Sequence, residues 1–245
     1  MSSKTILVTG SSQGLGLAIA KELSQNGFSV ILNGRDLASL QRALTQLASQ
    51  NKHYLFCYDL TKEDAIEALD AFLKAHGIAL YGVVHNLGGK VKEDVQPLHV
   101  KTLHASMRLN VEVGIEINNH VIPHMIAQGG GKIVHIGSSA AFNGNASPAY
   151  AISKAALHAY VKNSARYYAK ENIMLCAVVP SILEHEGSEW SAKRVREPQK
   201  YENRKAQMPL GRFAMPEEIA PYVSALFSIE SMQVTGSIIC LEGGV

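Results

Sequence analysis

The sequence predicts an α/β fold: one unit over residues 1–245, with a mostly parallel sheet built from seven candidate strands and helices on both faces. Three observations lead there. Short β-branched runs bounded by Gly, Asn or Asp alternate with longer segments of near-3.6 periodicity, which is the rhythm of βαβ units. Several short runs, among them Lys132-Ile133-Val134-His135-Ile136 and Met174-Leu175-Cys176-Ala177-Val178-Val179, are nearly continuous apolar stretches, as strands covered on both faces require. No internal repeat, low-complexity tract or linker rich in Pro, Gly or Ser divides the chain.

In chain order, strands are expected at 4–9, 28–33, 53–58, 80–86, 131–137, 173–179 and 236–241. Helices are expected at about 14–26, 37–50, 62–76, 102–128, 149–171 and 216–228. The stretch 183–207 breaks the rhythm. It carries Glu184, Glu186, Lys193, Arg194, Arg196, Lys200, Arg204 and Lys205, with little apolar content before Met208. It follows a strand end where ligand crevices form in such sheets, so it reads either as a flexible flap over a site or as a solvated surface insertion.

Composition bounds the function. Apolar residues make up 47% and charged ones 18%, an ordinary globular balance. The 23 basic and 21 acidic residues are interspersed and leave a formal charge of +2, which argues against a nucleic-acid partner. The first apolar run, Thr5-Ile6-Leu7-Val8, is too short for a leader or a membrane span, so the expectation is a cytoplasmic protein with no membrane association. Cys57, Cys176 and Cys240 lie in separate strand-like runs without metal-ligand spacing, and buried free thiols are expected. The ten histidines are scattered; His85, His135 and His158 fall near the motifs below but fit packing better than a relay, and no metal is required.

The first strand ends in Thr9-Gly10-Ser11-Ser12-Gln13-Gly14-Leu15-Gly16 and runs straight into a helix. Glycines there let the backbone turn sharply and approach a pyrophosphate, whose charge is held by amides and the positive end of the helix. Any strand-to-helix turn can use glycine; the position after the first strand of a βαβ unit is what indicates dinucleotide binding. The second strand ends Ile31-Leu32-Asn33-Gly34-Arg35, with an arginine and no carboxylate at its end, which favours NADP(H), by a forked contact to a 2′-phosphate, over NAD(H). Asp59, after the third strand, is placed either to accept from an adenine amino group or to cap the next helix.

Tyr150 and Lys154 share a helix face at four-residue spacing, but so do Tyr58 and Lys62, and Tyr201 and Lys205. Context selects the first pair: Tyr150 alone follows a strand and a serine-rich turn, Gly137-Ser138-Ser139-Ala140, in a segment of small residues. Reducing a ketone needs a proton donor at the developing alkoxide, and a tyrosine with its ordinary pKa near 10 is a poor one. An ammonium about 4 Å away at an effective dielectric of about 20 supplies roughly 4 kcal/mol, on paper up to about three pKa units of depression. Ser138 would hold the substrate oxygen, and Lys154 also the nicotinamide ribose.

With those residues in place, residues 4–244 resemble the short-chain dehydrogenase/reductase family. The resemblance rests on Thr9-Gly10-x-x-x-Gly14-x-Gly16, Asp59-Leu60-Thr61, Asn86-Leu87-Gly88-Gly89, Asn110, Ser138, Tyr150-x-x-x-Lys154, and Pro209-Leu210-Gly211-Arg212 through Pro216-Glu217-Glu218-Ile219-Ala220 to Thr235-Gly236 and Gly243-Gly244. It implies a single doubly wound (Rossmann) domain with a mostly parallel seven-stranded sheet, and a nicotinamide-dependent oxidoreductase acting on a small carbonyl or alcohol. The implied catalytic set is Ser138, Tyr150 and Lys154, completed by Asn110 on a water relay. Cofactor contacts are implied for Gly10, Ser12, Gln13, Gly14, Leu15, Gly16, Arg35, Asp59, Leu60, Asn86, Gly88, Tyr150, Lys154, Pro180 and Ile182. The family is commonly a homotetramer packed through two long helices, with a homodimer as the alternative.

The chain departs from the family pattern in four places. Asn86-Leu87-Gly88-Gly89 replaces the usual Asn-Asn-Ala-Gly, the Ser138-to-Tyr150 interval is one residue short and leaves Ser139 in play, Pro180-Ser181 replaces Pro-Gly without the familiar threonine beyond, and Glu242 stands for the frequent Asp. Substrate class stays open between 3-oxoacyl thioesters, sugars or polyols and other ketones. The helix ends Gln128-Gly129-Gly130-Gly131 and Lys170-Glu171-Asn172 make a poor docking surface for an acidic carrier, whereas the basic stretch 193–205 suits an anionic or polar substrate. A non-catalytic dinucleotide-binding protein is the rival from another class, and the intact Asn110, Ser138, Tyr150 and Lys154 argue against it.

Overall fold

All seven expected runs are strands, their ends displaced by a residue or two: β1 (Thr5–Val8), β2 (Ser29–Gly34), β3 (Tyr54–Cys57), β4 (Leu80–His85), β5 (Gly131–Ile136), β6 (Ile173–Pro180) and β7 (Ile238–Leu241). The structure is a computed structural model that describes residues 4–144 and 146–245; Met1-Ser2-Ser3, part of the terminus read above, lie outside the described residues. The strands form one parallel sheet in the order β3-β2-β1-β4-β5-β6-β7. The order reverses between β1 and β4, which opens a crevice at their carboxyl ends.

The period-2 pleat divides the apolar strands between two cores. Ile6, Val8, Val30, Leu32, Val84 and Val134 face one layer, with α1 (Gly14–Gln25), α2 (Leu37–Leu44) and, last in the chain, α10 (Pro216–Ser228). Leu7, Ile31, Val83 and Ile133 face the other, with α3 (Ala65–His76), α5 (Val113–Ala127) and α7 (Pro148–Tyr168). The long helix expected at 102–128 begins as α4 (Val100–Met107) and passes into α5 through a π-helical stretch, Arg108–Glu112. A short α6 (Ala140–Asn143) follows β5.

Three points go beyond the expected list of elements. First, 183–207 folds as α8 (Glu189–Arg196) and α9 (Pro198–Ala206). These helices close on their own small core, in which Trp190 and Tyr201 pack on Phe213 at ring distances of 5.0 and 5.2 Å, with Ile182 and Met208 alongside. Phe213 lies beyond the charged run, which is why that run reads as coreless. Second, the expectation of three buried thiols is corrected: Cys57 and Cys240 are exposed, because β3 and β7 are the sheet's two edges, and only Cys176, on inner β6, is buried. Third, Lys132 within the apolar β5 run is 6% exposed, and its ammonium caps the carboxyl end of α10 by donating to the carbonyls of Leu226 (2.9 Å), Phe227 (3.2 Å) and Ile229.

Candidate active site

The glycine turn after β1 is shaped for close approach. Gly10 and Gly14 have φ of +60° and +56°, in the left-handed region that glycine reaches without steric cost. A Cβ on Gly16 would lie 2.4 Å from the Gly10 carbonyl oxygen and 2.9 Å from the Ser11 Cα, so only glycine fits beneath the turn. The turn is locked from β4. Asn86 donates from Nδ2 to the carbonyls of Gly10 (2.9 Å) and Thr9 (3.2 Å), and the Thr9 hydroxyl accepts from the amides of Asn86 and Leu87. Gln13, at the start of α1, makes no side-chain cap, and the first turn holds no acidic residue, so the amino end of α1 is free to meet an anion. This cradle, which a single methyl would fill, fits a dinucleotide pyrophosphate.

Around it, Ser12, Gln13 and Gly14 line a polar cleft with Ser39 and Arg42 from α2 and His185, Glu186 and Gly187 from the segment after β6. Arg35, 80% exposed, lies 3.9 Å from Asp59, and Asp36 is committed to capping α2 through the Ser39 amide at 2.8 Å. Asp59 accepts from the Thr61 amide and hydroxyl at 3.0 and 2.7 Å, so it closes a local turn and does not cap α3, which starts at Ala65. Burial works against its charge, but the Thr61 hydrogen bonds and the Arg35 charge hold its carboxyl below the ordinary range. Leu60 is 2% exposed in the core and offers a ligand no side-chain contact.

Beside the cradle, a cavity of about 360 Å³ is lined by Leu15, Asn86, Gly88, Ser138, Ser139, Tyr150, Lys154, Pro180 and Ile182, which come from five separated stretches of chain. Tyr150 lies in the first turn of α7 and Lys154 one turn on. The Lys154 ammonium is 5.8 Å from the Tyr150 ring centre and donates to the Ile136 carbonyl at 2.7 Å. Ser138, and not Ser139, hydrogen-bonds the Tyr150 side chain. The expected depression of the Tyr150 pKa by Lys154 does not hold here. Burial pushes the phenol up, the Ser138 bond offsets only part of that, and Lys154 is turned to a carbonyl. Burial likewise pushes the ammonium of Lys154 down, to about 8.

Asn110 falls in the π-helical stretch, an irregularity that often marks functional sites. Its side chain is fully engaged: Oδ1 accepts from the Gly89 amide (2.9 Å) and Nδ2 donates to the carbonyls of Gly89 and Ser106 (both 3.0 Å). It faces Lys154 across a second, water-sized cavity of about 10 Å³ that His85 and His135 also line. The two imidazoles stack at 4.3 Å, and Asn118 bridges them to the Tyr160 hydroxyl. Burial pushes His85 down to about 4, and burial, then the neighbouring His85 and Lys154, lowers His135, so both are neutral at physiological pH.

Two positioning residues escape sequence reasoning. Asn33 stitches three strand ends, donating to the carbonyls of Phe56 (3.0 Å) and Tyr58 (3.1 Å) while accepting from the Gly10 amide. Asp94, 7% exposed, reaches from the loop after β4 to accept from the amides of Ala149 (2.7 Å) and Tyr150 (3.0 Å), capping α7 where Ser147 makes no side-chain cap. Its fifty-five-residue separation from Ala149 hides it from local capping signatures. Asp94→Ala strands two buried amides at about 1–3 kcal/mol each. A fall in melting temperature of about 4–24 °C is expected, at about 2–4 °C per kcal/mol for a chain of this length, with kcat reduced more than cofactor affinity; Asp94→Asn, which keeps one acceptor oxygen, should lose about half as much in thermal unfolding.

The sheet order, the turn and the cavity define a nicotinamide-dependent oxidoreductase of the doubly wound class. A family model described as enoyl-(acyl carrier protein) reductase matches residues 10–245. Carbonyl reductase family member 4 of Xenopus laevis is 30% identical over 246 residues, covering 99% of this chain and 98% of that protein. The 3-oxoacyl-[acyl-carrier-protein] reductase FabG of Aquifex aeolicus is 30% identical over 252 residues, covering 100% and 98%. The crystal structure of L-sorbose reductase from Gluconobacter frateurii with NADPH and L-sorbose superposes with a TM-score of 0.90 at 25% identity, covering 99% of this chain and 96% of that one. The chain belongs to the short-chain dehydrogenase/reductase family. Among the described residues, no helix is long and apolar enough to cross a membrane.

Proposed function

We propose that the protein interconverts a ketone and a secondary alcohol with NADP(H), Tyr150 acting as the general acid and base. The observation that carries this reading is the convergence of Ser138, Tyr150 and Lys154 on one cavity whose floor, at Leu15, adjoins the glycine cradle. When bound, the cofactor supplies the hydride that reaches the carbonyl carbon. The Tyr150 hydroxyl gives its proton to the carbonyl oxygen as charge develops there, and Ser138 holds that oxygen in line. The Lys154 ammonium, held by the Ile136 carbonyl, balances the tyrosinate that remains. Asn110, by fixing Gly89 against the π-helical stretch, keeps open the water-sized cavity through which the proton is replaced.

NADP(H) is favoured over NAD(H) because Arg35 is exposed at the end of β2 while Asp36 is occupied by its cap. Cover for the cavity comes from 183–207, tied down by Glu184, which takes the Tyr201 hydroxyl at 2.7 Å and Arg194 at 3.2 Å. Within one domain over 1–245, this part is the substrate cover. A homotetramer or homodimer in the cytoplasm completes the reading. The likeness to the FabG reductase and to L-sorbose reductase makes 3-oxoacyl thioesters and sugars the first substrates to test. The test is the loss of reduced-nicotinamide absorbance with NADPH and with NADH across 3-oxoacyl thioesters, ketoses and small ketones. Oxidation of NADPH at least tenfold more efficiently than NADH by one class is expected. Binding of both cofactors with no turnover of any class would return the protein to a binding role.

A further inference from the structure

The basic stretch 193–205 is largely self-neutralised. Lys193 pairs with Glu189 at 2.5 Å, Arg194 with Glu184 at 3.2 Å, Lys200 with Glu197 at 2.9 Å and Lys205 with Glu202 at 3.6 Å. Arg204 differs. It is half-buried in the wall of the cavity that holds Ser138 and Tyr150, and among the described residues no carboxylate lies within ion-pair distance of it. Its guanidinium donates only to the neutral Gln207 Oε1, at 2.8 Å. The other cations of that wall are held in place: Lys154 by the Ile136 carbonyl beside Tyr150, and Lys90 by Glu189 at 3.6 Å, a carboxylate it shares with Lys193. A cation in a partly desolvated wall without a counter-charge favours an anionic ligand, and the planar fork of arginine matches a carboxylate with two parallel hydrogen bonds.

We propose that Arg204 is the specificity-determining residue of this site and that the substrate is a small ketone bearing one carboxylate. The proposal rests on the reading above that the cavity reduces ketones. The two coplanar oxygens of a carboxylate match the guanidinium fork with parallel hydrogen bonds, and a carboxylate is therefore the anion assigned to it. The cavity, at about 360 Å³, lies at the small end of ligand sites, and Leu15, Pro180 and Ile182 on its wall leave part of it to the nicotinamide, so the substrate is short. Trp190 closes the same wall as an apolar face and is the chain's one tryptophan, so its fluorescence reports occupancy independently of turnover.

The experiment compares 2-, 3- and 4-oxo acids with their primary amides for wild type, Arg204→Gln and Arg204→Lys, alongside NADPH affinity. It also titrates Trp190 fluorescence in the NADP-loaded protein with 3-hydroxybutyrate and with its amide. At least one oxo acid should be reduced with a kcat/KM ten or more times that of its amide. Arg204→Gln should bring the ratio near one through KM, and Arg204→Lys should recover part of it. Quenching by 3-hydroxybutyrate should weaken at least tenfold in Arg204→Gln. Equal turnover of acids and amides by wild type overturns the proposal, as does a loss of NADPH affinity in Arg204→Gln as large as the loss in KM, which would assign Arg204 to the cofactor. If no carbonyl compound is reduced, the ketone-reductase reading falls. The titration still decides Arg204: anion-selective quenching that depends on it keeps the anchor, and its absence removes it.

Discussion

Tyr150→Phe is expected to lower turnover by about a thousandfold, the middle of the range for removing a positioned proton donor, while cofactor affinity changes by less than about threefold. The exchange deletes one hydroxyl and keeps the ring, the α7 backbone bonds to Asp94 and the Lys154 bond to Ile136. A structural role alone would lower kcat and stability together, so an unchanged melting temperature beside the kinetic loss is the signature sought. Retention of more than a tenth of the wild-type rate would remove Tyr150 from the chemistry. The pH profile adds a second, signed test. Burial pushes the Lys154 ammonium down to about 8, so its charge is present below that pH and lost above it. Burial also raises the Tyr150 phenol, which makes ionisation more dependent on a neighbouring charge. Reduction should therefore hold through neutrality and fall as pH rises through about 8, and Lys154→Arg, whose charge persists, should move that fall upward in kcat against pH.

What the sequence disclosed and what it hid divide along contact range. The seven strands and the two-faced sheet follow from local apolar runs such as Ile31-Leu32 and Ile133-Val134, whose meaning does not depend on distant residues. The Ser138, Tyr150 and Lys154 constellation was legible because spacing on one helix and the turn after one strand place it. Hidden were the features made by long-range pairing. Asp94 caps a helix it does not adjoin, Lys132 caps one almost a hundred residues away, and Phe213 supplies the core that lets α8 and α9 fold. The charge pattern was legible only in part, for a related reason. Composition counts cations, whereas the field at a site depends on which cations are paired, and only the fold shows that Arg194 is neutralised and Arg204 is not.

Gly16→Ala is expected to weaken NADP(H) binding by about 10- to 100-fold. The added methyl would meet the Gly10 carbonyl oxygen at 2.4 Å and the Ser11 Cα at 2.9 Å, and both are backbone atoms that no rotamer change can move. Relief requires the turn to open, which also breaks the Asn86 bonds that hold Gly10 and Thr9 against β4. Overpacking of this kind costs about 1–3 kcal/mol; at 1.4 kcal/mol per decade it falls on the cofactor that needs the turn closed. Gly14→Ala separates this steric account from a general intolerance of side chains. Its φ of +56° carries about 1–2 kcal/mol of left-handed strain, but the atoms in the way, at 2.7 Å, belong to the His185 imidazole, a side chain that can swing aside. Fluorescence titration of NADPH should therefore rank wild type first, then Gly14→Ala, with Gly16→Ala last although it introduces no φ strain. The reverse order would mean that the cradle's conformation, and not its closeness to the cofactor, is what its glycines provide.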